Sequence, residues 1–360
     1  MFHAPTKICI ANFDSSLERV KSSILVRLFA NTLKIMAVYT KLNFEEINNF
    51  LKANYDIGEL KDYKEIIAGI DNSNYIIETP QDKFIFTIFE SRIKKEDLPF
   101  FMNLKKYLSS NDISCPKPIL NKNNQIISSV NGKSVSIVSF LQGKTLMPQD
   151  DGLYGNITDD HCSQIGEITA KMHKYGYNFS EKRINDLNFE HLKQLFDQIA
   201  GQIENYRSGL KAEITEYITF LDQKWDLRLP SGACHLDLFP DNVFFDENNN
   251  LSGVIDFYFA ANDIFVYDLA ININAWCFDG KNQFCQNKYD NLLNSYQKNR
   301  PLSQKEQDFL PIALICASLR FLLTRFYDYF NTPEGSLVNV KNPDEYLNKI
   351  RFFAIDCHDQ

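Results

Sequence analysis

From residue 36 onward the spacing of apolar positions changes period along the chain. In KLNFEEINNFLKANYDIG, Leu42, Ile47, Phe50 and Leu51 recur at near-helical spacing and Gly58 follows as a stop signal, which predicts one helix. KDYKEIIAGIDNSNYIIETPQDKFIFTIFE then switches to short apolar runs: two strands flanking a polar corner at Gly69, Asp71, Asn72, Ser73 and Asn74, and a third strand after the turn TPQDK. DLPFFMNLKKYLSSNDI returns to a helix, and PKPILNKNNQIISSVNGKSVSIVSFLQG holds two more strands around Asn/Gly turns. Residues 60–143 therefore read as a small antiparallel sheet plus one helix.

After Gly143 the pattern is mostly helical. TDDHCSQIGEITAKMHKYG starts on the candidate caps Thr158 and Asp159 and ends at Gly176, and further helices are predicted at 188–206, 209–226, 264–275, 286–297 and 303–330. Inside this helical half, ACHLDLFPDNVFFDENNNLSGVIDFYFA is the one strong strand signal, two strands joined by a polar turn. The expected architecture is α+β in two lobes, with 36–143 forming a sheet lobe and 144–360 a helical lobe. Residues 1–35 stand apart: Lys7, Arg19, Lys21, Arg27 and Lys34 against Asp14 and Glu18 make them basic, and they are expected to be an extension outside the fold.

Composition narrows the function. With 360 residues, 44% hydrophobic and 23% charged, the chain can bury the core of a globular protein. Its apolar stretch Leu310–Leu323 is interrupted by Arg320 and falls short of the roughly eighteen residues of a membrane span. A net charge of −8 argues against a nucleic-acid surface, so a phosphate-bearing ligand has to be held locally. The eight cysteines are scattered, without a Cys-x-x-Cys pair, and read as reduced cytoplasmic thiols.

The strand pair carries the chemistry. Asp237, then Asn242 five residues later, then Asp256 at the end of the apolar strand LSGVID supply one carboxylate to accept a hydroxyl proton and two oxygen donors to hold a metal on phosphates. The plainer alternatives are turn formation by Asp237 and Asn242 and helix capping by Asp256. His235 suits a structural role, hydrogen bonding nearby backbone.

HLDLFPDN followed by VIDFYFA resembles the aminoglycoside phosphotransferase and choline kinase superfamily, whose fold is protein-kinase-like. MAVYT (36–40), GIDNSNYI (69–76), DLPFF (97–101), CPKPI (115–119), YDLAININAWCF (267–278) and LRFLLTRFYDY (319–329) narrow the similarity to the bacterial homoserine kinases of that superfamily, over residues 36–353. The resemblance implies ATP-dependent phosphorylation of the side-chain hydroxyl of L-homoserine on the way to threonine, with Mg2+ as cofactor. It implies Asp237 as catalytic residue, Asn242 and Asp256 as metal ligands, and Gly69, Asn72, Ser73 and Asn74 as the phosphate-covering loop. Ser139, Phe140 and Leu141 match the adenine hinge, and Asp268 an acid that organises the metal loop or caps a helix.

Three departures matter. Thr87 occupies the third-strand position where kinases place a phosphate-binding Lys, with Lys83 and Arg92 as nearby substitutes; Leu236 replaces the kinase Arg between His and Asp; Tyr258 replaces Gly in the third motif. The missing Lys keeps a nucleotide-binding pseudokinase as an alternative, and the intact Asp/Asn/Asp set argues against it. Other small hydroxylated acceptors, an aminoglycoside, choline or an amino alcohol, are the alternative within enzymes. A zwitterionic acceptor calls for an Arg at its carboxylate, so Arg320 and Arg325, with Asn274 and Trp276, are the candidate acceptor residues; a choline site would present aromatic faces instead.

Overall fold

The computed structural model describes residues 40–66, 72–90, 93–149, 151–333 and 340–355. Residues 1–35, Gly69 and Arg92 lie outside the described residues.

The first helix, α1 (Phe44–Asn54), starts on a capping box in which Asn43 and Glu46 each accept the other's backbone N–H. Its buried Ile47, Phe50 and Leu51 cover one face of a five-stranded antiparallel sheet, β1 (Asp62–Ile66), β2 (Asn72–Glu78), β3 (Lys83–Phe89), β4 (Ser128–Val130) and β5 (Lys133–Ser139), in the order β1-β2-β3-β5-β4. Tyr75, Ile77, Phe84, Phe86, Val135 and Ile137 complete that core. Helix α2 (Leu98–Ser109) interrupts the sheet in sequence, but its Leu98, Phe101, Leu104 and Leu108 are continuous with the core of the C-terminal region instead.

A two-residue strand, β6 (Lys144–Thr145), crosses over to pair with β8 (Val243–Phe245), which pairs with β9 (Leu251–Val254). Gly143 makes this crossing possible: its φ is +124°, and a Cβ there would meet the Phe245 carbonyl oxygen at 2.5 Å. The C-terminal region is built from α3 (Asp159–Gly176), α4 (Phe189–Tyr206), α5 (Leu210–Lys224), α6 (Phe265–Trp276), α7 (Gln286–Asn299), α8 (Gln304–Asn331) and α9 (Asp344–Ile355), with β7 (Ser231–Cys234) pairing antiparallel to β10 (Ala261–Ile264). At Gly176, a Cβ would lie 2.1 Å from the Ala233 carbonyl oxygen, so α3 packs on β7 only because that residue is glycine.

The predicted helices and strands fall close to where the periodicity placed them, except that Asn72, Ser73 and Asn74, expected in the polar corner, belong to β2. The additions are α9, whose polar start hides it, and the short strands β6, β7 and β10, held by tertiary pairing. Helix α8 runs well beyond its apolar stretch and is long and apolar enough to cross a membrane, but 78% of its most apolar window is buried inside the protein; it is a core helix.

Candidate active site

Strand β7 delivers the chain into the loop 235–242. Leu236 has φ +63°, a left-handed conformation that costs a non-glycine residue, and the loop is held in it by Asp268 of α6. The buried Asp268 carboxylate accepts the N–H groups of His235 at 3.2 Å and Leu236 at 2.7 Å. His235 is buried and structural: its Nδ1 accepts the Asp237 N–H at 3.2 Å, which leaves Nε2–H to donate to the Ile255 carbonyl at 2.9 Å. Burial pushes the imidazole below its ordinary range, consistent with this neutral form.

Asp237 emerges half-buried from this frame. Burial pushes its carboxyl up to about 7; Asp256 and Asp241 add to the rise, while Arg320 and Lys341 oppose it. Asn242, on the 3-10 turn Pro240–Asn242, donates its side-chain NH2 to the Asp237 carbonyl at 2.8 Å and to its carboxylate at 3.3 Å. Asn242 Oδ1 makes no hydrogen bond among the described residues and is available as an oxygen donor. The Asn242 carbonyl accepts the Ile255 N–H at 2.9 Å, which aligns the turn with Asp256. Asp256 itself has φ +61° and is exposed to solvent, while the protein mass around it raises its carboxyl against the pull of His235, the Tyr258 N–H and Lys105. Two hard oxygen donors, one neutral and one anionic, fit a divalent cation that retains water ligands.

The nucleotide side is less uniform. Ser139 N–H and Phe140 N–H are bonded to the carbonyls of Lys117 and Lys83, and Ser139 Oγ accepts the Lys117 N–H at 2.9 Å. Leu141 N–H and C=O make no hydrogen bond among the described residues, so of the three expected hinge residues Leu141 alone has both backbone groups free. Of the residues expected in a phosphate-covering loop, Asn72, Ser73 and Asn74 lie instead at the start of strand β2: Ser73 Oγ donates to Glu90 at 2.8 Å, Asn72 Oδ1 accepts the Glu90 N–H at 3.4 Å, and Asn74 Oδ1 accepts the Thr87 hydroxyl at 2.8 Å across the β2–β3 pair. Glu90 in turn holds Lys133.

Lys83 pairs with Glu78 at 3.3 Å at the far end of β3. The cation that acts on Asp256 comes from elsewhere: Lys105, buried on α2 with its ammonium 5.5 Å from the Tyr258 ring centre, lowered by burial to about 8. A lysine on the apolar face shared with Phe101, Leu104 and Leu108 was the sequence signal for it. Arg183 is a second residue that the sequence reading missed; it pairs with Asp97 at 2.9 Å and with Asp186, and donates to the Ala260 carbonyl at 3.2 Å, tying the start of α2 to the end of the metal motif.

The four acceptor candidates separate sharply. Trp276 donates its indole N–H to the Leu238 carbonyl, and Asn274 is engaged with Ala270, Leu314 and Ser318 inside the core. Arg325 is paired with Glu345, donates to the Asn342 carbonyl at 3.0 Å and stacks 4.5 Å from the Tyr346 ring centre. Arg320 differs: it is 1% exposed, yet its Nε and Nη1 have no hydrogen-bond partner among the described residues. Its guanidinium lies 4.9 Å from the ring centre of Phe321 and 5.6 Å from that of Phe259, and its charge is the strongest acting on Asp237. Tyr346 Oη, in the ring packed on Phe321 at 5.1 Å, is also buried without a hydrogen-bond partner among the described residues.

Residues 62–302 match the phosphotransferase enzyme family. Homoserine kinase from Afipia carboxidovorans is 41% identical over 317 residues, covering 88% of this chain and 94% of its own, and homoserine kinase from Brucella anthropi is 42% identical over the same shares. The chain belongs to the homoserine kinases of this family. The kinase shares its fold with a spectinomycin phosphotransferase solved with ADP and spectinomycin (TM-score 0.59, 13% identity, 88% of this chain and 95% of that one). The choline kinase LicA from Streptococcus pneumoniae superposes with a TM-score of 0.58 at 17% identity, over 86% and 98% of the two chains. The protein-kinase-like fold expected from the sequence is thus the fold observed, and the kinase uses ATP as phosphoryl donor.

Proposed function

We propose that this homoserine kinase works in the cytoplasm in threonine biosynthesis, with Asp237 as the base, Asn242 Oδ1 and Asp256 as ligands of Mg2+, and Arg320 as the anchor of the homoserine carboxylate. The observation that supports the substrate side is Arg320: a buried guanidinium with two orphaned donors beside Asp237 needs an anion with two acceptor atoms. The rings of Phe259 and Phe321 beside it would suit a quaternary ammonium if they stood alone, but a guanidinium between them repels a cation. That disfavours choline as acceptor.

With the carboxylate on Arg320, the side-chain hydroxyl is directed to Asp237. Asp237 accepts the hydroxyl proton as the oxygen attacks the γ-phosphorus; the new P–O bond forms while the bond to the β-phosphate oxygen breaks, and ADP leaves. Mg2+, when bound, supplies counter-charge to the phosphates. Leu141 offers its free N–H and C=O to adenine, whereas Asn72, Ser73 and Asn74 stand in the β2–β3 ladder with their side chains on Glu90 and Thr87. Lys105 provides positive charge on the phosphate side of Asp256, in place of the absent third-strand lysine. The assay that tests this reading couples ADP release to a panel of homoserine, serine, threonine, choline, ethanolamine and kanamycin. Homoserine should dominate kcat/KM, and efficient turnover of choline would overturn the Arg320 assignment.

A further inference from the structure

Behind the catalytic loop runs a buried chain of hydrogen bonds longer than the loop requires. Glu306, the N3 residue of α8, accepts from Arg300 at 2.7 Å. Arg300 Nη1 donates to the Tyr296 hydroxyl oxygen at 2.9 Å, Tyr296 lies 2.8 Å from His173 Nδ1, and His173 Nε2 lies 2.8 Å from Asp268. Tyr296, His173 and Asp268 are all fully buried.

Chemistry fixes the direction of every link. A guanidinium can only donate, so the Tyr296 oxygen is an acceptor from Arg300 and its own O–H is left to donate to His173 Nδ1. His173 then carries its proton on Nε2 and donates it to Asp268. Asp268 stays ionised, as it must to accept two loop N–H groups at once; burial pushes its carboxyl up, and His173, His235 and the Leu236 N–H together outweigh that and hold it below the ordinary range. Cys234 lies within ligand reach of His173 and Asp268, but both nitrogens of His173 are engaged, which leaves the cluster no imidazole lone pair for a metal. The chain ends on α8, where Arg320 lies fourteen residues beyond Glu306, about 21 Å along the helix. One wire therefore joins the loop that carries Asp237 to the helix that carries Arg320.

We propose that Tyr296 and Arg300 are positioning residues for catalysis: acting through His173 and Asp268, they hold the left-handed Leu236 peptide that aims the Asp237 carboxylate at the acceptor hydroxyl. This rests on the assignment of Asp237 as base. Removing the Tyr296 hydroxyl leaves His173 Nδ1 unsatisfied in an apolar site and frees the ring to take the other tautomer, which turns a lone pair toward Asp268.

The experiment compares Tyr296→Phe and Arg300→Lys in the full chain by steady-state kinetics and by hydrogen–deuterium exchange of the segment 234–238. Tyr296→Phe should lower kcat about tenfold with both KM values within about twofold of the parent, because a misplaced base is lost from the transition state and not from binding. Exchange in 234–238 should accelerate about tenfold as the two N–H groups on Asp268 loosen. Arg300→Lys, the milder change, should fall between, and serves if Tyr296→Phe does not fold. The exchange measurement requires no turnover, so it stands even if Asp237 proves not to be the base. A lowered melting temperature with parental kcat and parental exchange in 234–238 would overturn the proposal, as would a rise in homoserine KM at unchanged kcat.

Discussion

Trp276 donates its indole N–H to the carbonyl oxygen of Leu238 at 2.7 Å, one residue past Asp237. The bond backs the loop from inside the core, so Trp276 supports Asp237 from behind and has no free polar atom for a substrate. Trp276→Phe should therefore cost about 1–2 kcal/mol of stability, the price of an unsatisfied buried carbonyl. Chemical denaturation reads that loss, and the homoserine KM should stay within about twofold of the parent.

Asp237→Asn should lower kcat by about two to four orders of magnitude with little change in ATP affinity. It should also stabilise the nucleotide-free protein at alkaline pH. The folded carboxyl titrates at about 7 against an ordinary 3.8, so the folded state holds the proton more tightly, and stability falls as pH rises from 3.8 to 7. The melting temperature of the Asn variant should exceed the parent's by a few degrees at pH 8, at about 2–4 °C per kcal/mol, and the two should converge near pH 4. Equal melting temperatures at pH 8 would count against a strained carboxylate.

Asp256→Ala should abolish Mg2+-dependent nucleotide binding, because it removes the anionic member of the proposed ligand pair. Calorimetric titration with ATP, with and without Mg2+, is the check. Retained Mg2+ dependence would move the metal to other ligands.

The two arginines of α8 should give opposite phenotypes. Arg320→Ala should raise the homoserine KM about a hundredfold at unchanged ATP KM, and Arg320→Lys should already weaken acceptor binding, since a fork becomes a single ammonium. Arg325→Ala should instead destabilise the fold by about 1–3 kcal/mol, because it removes one of the two cations on Glu345 and leaves Lys349 as the other. Steady-state kinetics and melting curves on the pair separate the two roles.

Glu345 makes a pH prediction of the opposite sign to Asp237. Burial raises its carboxyl, but Lys349 and Arg325 outweigh burial and hold it at about 2 against an ordinary 4.5. Its contribution to stability is complete above about pH 4.5 and is lost as pH falls toward 2. Glu345→Gln should lower the melting temperature at pH 7 and flatten the acid limb, so that variant and parent converge below pH 3.

What the sequence revealed and withheld follows from the range of each interaction. Asp237, Asn242 and Asp256 were legible because their spacing lies within one strand–turn–strand unit, where local chemistry sets the arrangement. Arg320 and Arg325 read alike in sequence; what distinguishes them is Glu345 on α9, a helix that the periodicity did not announce. Asn274 and Trp276 were acceptor candidates through the family resemblance of the segment that follows Asp268. Their partners, Ser318 and the Leu238 carbonyl, are tens of residues away. Lys105 was hidden for the reverse reason: one lysine among apolar neighbours looks like a solvated residue until the fold buries it beside Asp256.

Four residues separate β5 from β6, and Gly143 delivers the chain directly into pairing with β8. Those residues are a leash of at most about 17 Å between the sheet and the catalytic strands. The free backbone groups of Leu141 lie on the leash itself, so adenine would grip the tether and not a wall of the cleft. Nucleotide occupancy and the mechanical stiffness of the tether then become one variable. A longer tether, made by inserting residues between Leu141 and Gly143, would weaken the grip on adenine and the alignment of the two regions in equal measure.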